Sequence, residues 1–131
     1  MTTTPTRPAS TLVEQLETLP DELARALAHE CACRNAVAHT EAELDVAERH
    51  AELRIRREMA ENARHVTDRA VDLEVGLDDD VIDLELERMD REHELREAIA
   101  AVDVIRSRER CLAALVQLRI AEDWNGDEVL H

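Results

Sequence analysis

The chain has 131 residues, and its composition excludes several classes of protein. It is 44% hydrophobic and 36% charged but contains one Trp and no Phe or Tyr, so a large rounded core is not expected. The 31 acidic and 16 basic residues give a formal net charge of −15, which would repel phosphate backbones and anionic membranes. We therefore expect no direct nucleic-acid binding and no membrane partner. No apolar run reaches the roughly 18–20 residues of a membrane span.

The first residues predict a flexible arm followed by a short helix. Residues 1–9 are rich in Thr and Pro and offer little to bury, which is typical of a flexible arm. Thr11 and Glu14 have the spacing of a capping box ahead of an apolar run, so a helix is predicted over residues 11–18. Pro20 is tolerated in a first helical turn and predicts the start of a second helix.

Helical periodicity continues from residue 20 to about residue 66. Apolar residues recur at steps of three and four, while most of the charged residues fall off that face. The residues predicted to form the buried face are Leu23, Leu27, Cys31, Val37, Thr40, Leu44, Ala47, Ala51, Ile55, Met59 and Val66.

Residues 67–77 interrupt this pattern. The apolar residues from Val71 to Leu77 alternate with a period of two, which fits an extended segment. Thr67, however, is a good cap for one or two helical turns, and we favour a short helix. Gly76 and the three Asp residues at 78–80 predict a stop and then the cap of the next helix.

The last helix is predicted over residues 80–122 and closes at Asn125 and Gly126, which leaves residues 125–131 as a tail. From Val102 onwards, apolar residues cover more than one side of this helix, so this part of the chain needs more than one packing partner. The residues predicted to form its buried face are Ile82, Leu86, Met89, Leu95, Ile99, Val102, Ile105, Leu112, Val116 and Ile120.

Together these elements predict an all-α fold, an antiparallel long helical hairpin with coiled-coil-like packing over residues 10–124. A turn near residue 73 or 74 would set residue n opposite about residue 147 minus n. The short helix over 11–18 would then fold back onto the last helix and form a three-helix base. Because the two-helix remainder leaves apolar edges uncovered, we expect a homodimer or a small homo-oligomer.

Catalytic and cofactor signatures are scarce. The chain has no Gly-rich phosphate loop, no GxSxG and no HExxH, so we expect no enzyme activity and no cofactor. The sharpest local cluster is His29, Cys31 and Cys33, because the predicted register sets Cys111 close to them. Imidazole and thiolate suit zinc or copper, but the spacing matches no common zinc module and Cys is a frequent small core residue. Structural thiols are the favoured interpretation, and a metal or redox site is the alternative.

The tail contains the predicted interaction residues, Trp124, Val129 and Leu130. Trp124 is expected to pack on the three-helix base, while residues 127–131 either fray or form a docking peptide. The preferred function is a non-enzymatic interaction module, an acidic self-associating helical rod that binds another protein. The alternative is an acidic mimic of nucleic acid that inhibits a DNA-binding protein, and the third hypothesis is a metal-binding or redox protein.

The layout of residues 23–119 resembles that of small uncharacterised coiled-coil proteins of bacteriophages and prophages. The shared features are a Glu- and Arg-rich first helix, the Thr-capped break at residues 65–68, the acidic restart at residues 78–81 and a terminal Leu-Ala-Ala-Leu-Val run. The resemblance implies an accessory protein in a bacterial or phage-infected host cell. The odd number of Cys, three, does not indicate a secreted disulfide framework, and we expect a cytoplasmic location.

Overall fold

The computed structural model of the chain describes residues 9–130, with side chains described for residues 11–125. Over this span the chain forms three helices and no strand: α1 is Ala9–Glu61, α2 is Asp68–Val75 and α3 is Asp79–Leu130. Helix α1 packs against α3 as the two arms of a hairpin, which confirms the predicted all-α helical hairpin. The predicted arm lies outside the described residues over positions 1–8, and so does His131.

The hairpin divides into two compact units. Unit 1 combines the start of α1, up to Glu30, with α3 from Ala98 onwards. Unit 2 is Cys31–Glu97 and contains the rest of α1, the whole of α2 and the start of α3. Unit 2 therefore has an additional helix with which to bury apolar side chains, whereas unit 1 is built from sections of the two long helices.

The best-buried part of unit 2 is the cluster where its three helices meet. Helix α2 contributes Val71, which is fully buried, and α1 contributes Ile55 and Met59. Val81, in the first turn of α3, completes this cluster. Burial of side chains of this size stabilises the fold by roughly 1.5–3 kcal/mol each. Tertiary packing therefore holds α2 in place, since eight residues are too few for a helix that is stable alone.

Two capped turns connect α1 to α2 and α2 to α3. Ala63 adopts a left-handed φ of 54° just after α1, and the Arg64 N–H donates to the Met59 carbonyl at 2.9 Å. Thr67 then caps α2, its Oγ1 accepting a hydrogen bond from the Ala70 N–H at 3.1 Å. The predicted short helix is thus confirmed, and the extended alternative is wrong, because the cap satisfies a helical donor and Val71 has a core to enter.

Helix α1 continues through Pro20, so the separate helix predicted over residues 11–18 is instead the first part of one long helix. A proline inside a helix removes one N–H donor and costs about 3 kcal/mol. Leu19 is nevertheless buried, and Leu16 and Leu23 are half-buried on either side of it along the helix. Continuous packing of these leucines offsets the local cost, whereas a break would turn them away from α3. Residues 11–18 therefore do not form the third helix of the predicted base.

The predicted register of the hairpin is also wrong. It placed Arg54 opposite about residue 93, but in unit 2 Arg54 forms an ion pair with Asp78. It placed Glu22 opposite about residue 125, but in unit 1 a Glu22 carboxylate oxygen lies 3.5 Å from a guanidinium nitrogen of Arg108. The cause is α2, which packs onto the end of α1 and so moves the reversal of the chain to residues 62–67.

The buried faces follow the predicted stripes only in part. Thr40, Leu44, Ala51, Ile55 and Met59 of α1 are buried as predicted. At the start of α3 the face is displaced by one position, and the predicted Ile82, Leu86 and Met89 are exposed while Val81 is buried. In α1, Leu27 and Cys31 are exposed, and so is Val66 in the connection to α2. Apolar residues lie on two neighbouring sides of these segments, so spacing alone does not select the side that meets a partner.

Candidate interaction surface

The four side chains predicted as metal or redox candidates are not assembled into a site. Cys33 is buried, as expected for a thiol that packs as a small core side chain, while Cys31 and Cys111 are exposed. His29 is exposed on α1. Within the described part of the chain, no group of three or more His, Cys, Asp or Glu side chains has the arrangement of a metal site. The hypothesis depended on the predicted register, which the Glu22–Arg108 contact contradicts.

The ion pair of Arg54 and Asp78 fixes the start of α3 to α1 in unit 2. The hydrogen bond from the Arg54 guanidinium lowers the pKa of the Asp78 carboxyl below its ordinary value. The same contact raises the pKa of Arg54. The second Asp78 carboxylate oxygen accepts a hydrogen bond from the Val81 N–H at 3.2 Å, so Asp78 is also the cap of α3. This pair has a structural role, because both charges hold the two helices together.

Two open grooves run along unit 2 on either side of its core. The larger, of about 580 Å³, has a floor that includes Ala47 and Leu84 and lies beside the Arg54–Asp78 pair. Its rim is polar: His39 lies 2.8 Å from the Glu43 carboxylate one turn away. The second groove, of about 450 Å³, lies between α2 and α3. Both grooves have acidic rims, and unit 2 as a whole contains twenty acidic residues against ten Arg.

Large apolar side chains are exposed in unit 2, and two of them, Ile82 and Leu86, line the second groove. Leu53 lies on α1 with 65% of its surface exposed. Others lie on or just after α2 and at the start of α3: Leu73, Leu77, Ile82, Leu86 and Met89. Single exposed leucines are normal on protein surfaces, but several of them on one small helical unit indicate contacts that the isolated chain does not make.

In unit 1 four exposed apolar residues form a row along α3. We call Val104, Cys111, Leu115 and Leu118 the α3 stripe; all four are exposed. They are separated by steps of seven, four and three residues, which is the repeat of a coiled-coil seam. The sequence had indicated this feature, because apolar residues cover more than one side of α3 after Val102, but it assigned the covering role to residues 11–18.

Trp124 is another exposed apolar residue of α3, with 68% of its surface accessible. It does not pack on a helical base as predicted; with Ile120 and Gln117 it lines a groove of about 420 Å³. Helix α3 does not stop at Asn125 and Gly126 but continues to Leu130, so the predicted tail is largely helical in its backbone. The side chains of the predicted Val129 and Leu130 lie outside the described set.

The first part of α3 in unit 1 is basic, although residues 98–130 as a whole contain six acidic residues and four Arg. Residues 98–121 of α3 contain two acidic residues and four Arg, a net charge of +2. Residues 11–30 of α1 contain five acidic residues and one Arg, a net charge of −4. The contact between Arg108 and Glu22 within unit 1 follows this distribution. The α3 stripe therefore lies within a basic segment of an otherwise acidic protein.

Comparison with known proteins gives no relative. No family model, no curated protein and no solved structure matches this chain. Among the described helices, none has an apolar stretch of the length needed to cross a membrane.

Proposed function

We propose that this protein is a non-enzymatic interaction module, an acidic helical hairpin that associates with copies of itself. The observation that carries the proposal is the set of large apolar side chains left exposed on helices that are otherwise strongly charged. In unit 1 these side chains are aligned as the α3 stripe, with the spacing of a helix–helix seam.

The hairpin leaves part of its apolar surface in water. Full burial of a Leu or Val side chain stabilises a structure by roughly 1.5–3 kcal/mol. A partner that covers an aligned row of exposed side chains therefore gains several kcal/mol of binding free energy. A two-helix section covers one side of each helix, and further helices are the usual means of covering a second side. The α3 stripe and Trp124 support this function, because both lie on a section of α3 that has a single helical partner within unit 1.

The distribution of charge favours this function over a mimic of nucleic acid. A mimic needs rows of carboxylates with an uninterrupted negative field. Here Arg side chains interrupt the rows of carboxylates, as Arg56 does beside Glu52 at 3.0 Å and Arg88 beside Glu85 at 2.8 Å. The surface is therefore mixed in sign along α1 and α3, which suits helix–helix association.

Sedimentation velocity tests the proposal directly. We expect the mass to rise from 14.9 kDa towards a multiple of that value as the protein concentration increases from about 1 to 200 µM. Circular dichroism at each concentration serves as the control that the helices are formed throughout. A mass that stays at one chain over this range, with full helicity, contradicts the proposed self-association.

A further inference from the structure

We propose that two copies of this chain associate through the α3 stripe, with the basic section of α3, residues 98–121, lying against the acidic section of α1, residues 11–30, of the second copy. This inference rests on the proposed self-association and names the surface that mediates it. It assigns the exposed Val104, Cys111, Leu115 and Leu118 to the interface.

The position of the stripe on α3 supports a second packing seam. Val102 is buried and Leu112 and Val116 are half-buried, so these residues mark the side of α3 that faces α1 of the same chain. At 100° per residue in an ideal helix, the stripe lies about a third of a turn, roughly 130°, away from that side. A helix with two separate seams can pack against two neighbours, as each helix of a four-helix bundle does. Two copies of unit 1 supply the required four helices.

Charge identifies the occupant as a second copy of the same chain. The section of α3 that contains the stripe has a net charge of +2, and the α1 section of unit 1, with a net charge of −4, is complementary to it. In a two-fold dimer each α3 section meets the α1 section of the other chain, so the attraction occurs twice. Unit 2, with ten more acidic than basic residues, would instead repel its own copy. The apolar residues exposed on unit 2 are therefore a poorer dimer surface than the stripe.

The available area is sufficient for a dimer. The 24 residues from 98 to 121 extend for about 36 Å along the helix axis, and two helices side by side are about 20 Å wide. One face of this section thus offers on the order of 700 Å², close to the roughly 800 Å² per partner of a standard interface.

A pair of matched substitutions tests the surface. Leu118→Gln changes a stripe residue that is 61% exposed in the chain, and Leu53→Gln changes a residue of unit 2 that is 65% exposed. Both residues lie within long helices, so the two changes should affect the folding of the chain to a similar, small extent. In sedimentation equilibrium we expect Leu118→Gln to weaken dimerisation roughly 100-fold, because a two-fold interface loses two buried leucines, and Leu53→Gln to change it less than about threefold.

Alkylation of the native cysteines tests the surface without substitution. Cys31 and Cys111 are both exposed in the chain, but only Cys111 belongs to the stripe. Iodoacetamide labelling, read by mass spectrometry of peptides, should slow at least tenfold at Cys111 when the protein is concentrated above its dimer dissociation constant, while the rate at Cys31 stays unchanged. The same protection should weaken at 0.5 M salt, because the charge attraction between the α1 and α3 sections is screened.

The outcomes distinguish a failure of the proposed self-association from a failure of the α3 stripe as its surface. A wild-type protein that remains a monomer removes the proposed self-association itself. A dimer that persists unchanged in Leu118→Gln and leaves Cys111 fully reactive keeps the self-association and overturns the α3 stripe as its surface. A dimer that Leu53→Gln disrupts and Leu118→Gln does not overturns the stripe and places the interface on unit 2.

Discussion

Two methionines provide a sharp test of the buried cluster in unit 2. Met59 of α1 is 1% exposed and lies in the cluster with Ile55 and Val71, whereas Met89 of α3 is 58% exposed. Met→Ala at a fully buried site typically costs 2–5 kcal/mol, from lost burial and from the cavity that remains. We expect Met59→Ala to lower the free energy of unfolding by about 2–5 kcal/mol and Met89→Ala to change it by less than about 0.5 kcal/mol.

Urea titration followed by circular dichroism measures this difference. With a slope of about 1.5 kcal/mol per molar urea, Met59→Ala should lower the midpoint by about 1–3 M, while Met89→Ala leaves it nearly in place. All samples are compared at one protein concentration, because association stabilises the folded state by mass action. Both substitutions remove the same atoms from a helix, so equal shifts in the two variants would falsify the assignment of Met59 to a packed core and leave α2 without its anchor.

Three further substitutions test individual features of the helices. Because Pro20 lies inside α1, Pro20→Ala should raise the free energy of unfolding by about 1–3 kcal/mol in a urea titration. A rise of less than about 0.5 kcal/mol would instead indicate that a helix begins at Pro20. Thr67→Ala should lower the free energy of unfolding by about 0.5–2 kcal/mol through loss of the α2 cap, while Thr18→Ala, at an exposed position, should leave it nearly unchanged. An unchanged stability in Thr67→Ala would contradict the cap. Asp78→Asn should destabilise the protein most near pH 7: the folded-state pKa of Asp78 is below 3.8, so its pairing with Arg54 is fully present above that value and is lost as the pH falls below it. The wild-type and Asp78→Asn midpoints should therefore converge as the pH falls below the ordinary pKa of an Asp carboxyl, and a pH-independent gap would refute the ion pair.

Local patterns in the sequence were sufficient for the elements of the fold. The apolar periodicity of α1 and α3 and the Thr67 cap of α2 depend on residues within one or two turns, so they are readable without a partner. Residues typical of helix starts and ends were misleading where tertiary packing outweighs their preference. Pro20 is typical of a helix start, but the helix continues through it because Leu19 is buried. Asn125 and Gly126 have the sequence of a stop, and α3 continues past them.

The candidate surface was only partly accessible from the sequence. The excess of apolar residues on α3 after Val102 was visible, and so was the inference that one partner is not enough. Which of these residues stay exposed depends on the register, which a symmetric turn near residue 73 predicted wrongly because it ignored the packing of α2 onto α1. The expected proximity of Cys111 to His29, Cys31 and Cys33 was inferred from the same register.

The amino-acid sequence by itself determined that this is an acidic protein of two long amphipathic helices joined by a short one, because charge and periodicity are properties of the chain and of its nearest turns. Only the tertiary structure decided which sides of those helices are buried. In unit 2 that choice depends on the contacts of α2 with Met59 and of Asp78 with Arg54, and in unit 1 the packing of α1 and α3 leaves the α3 stripe in water.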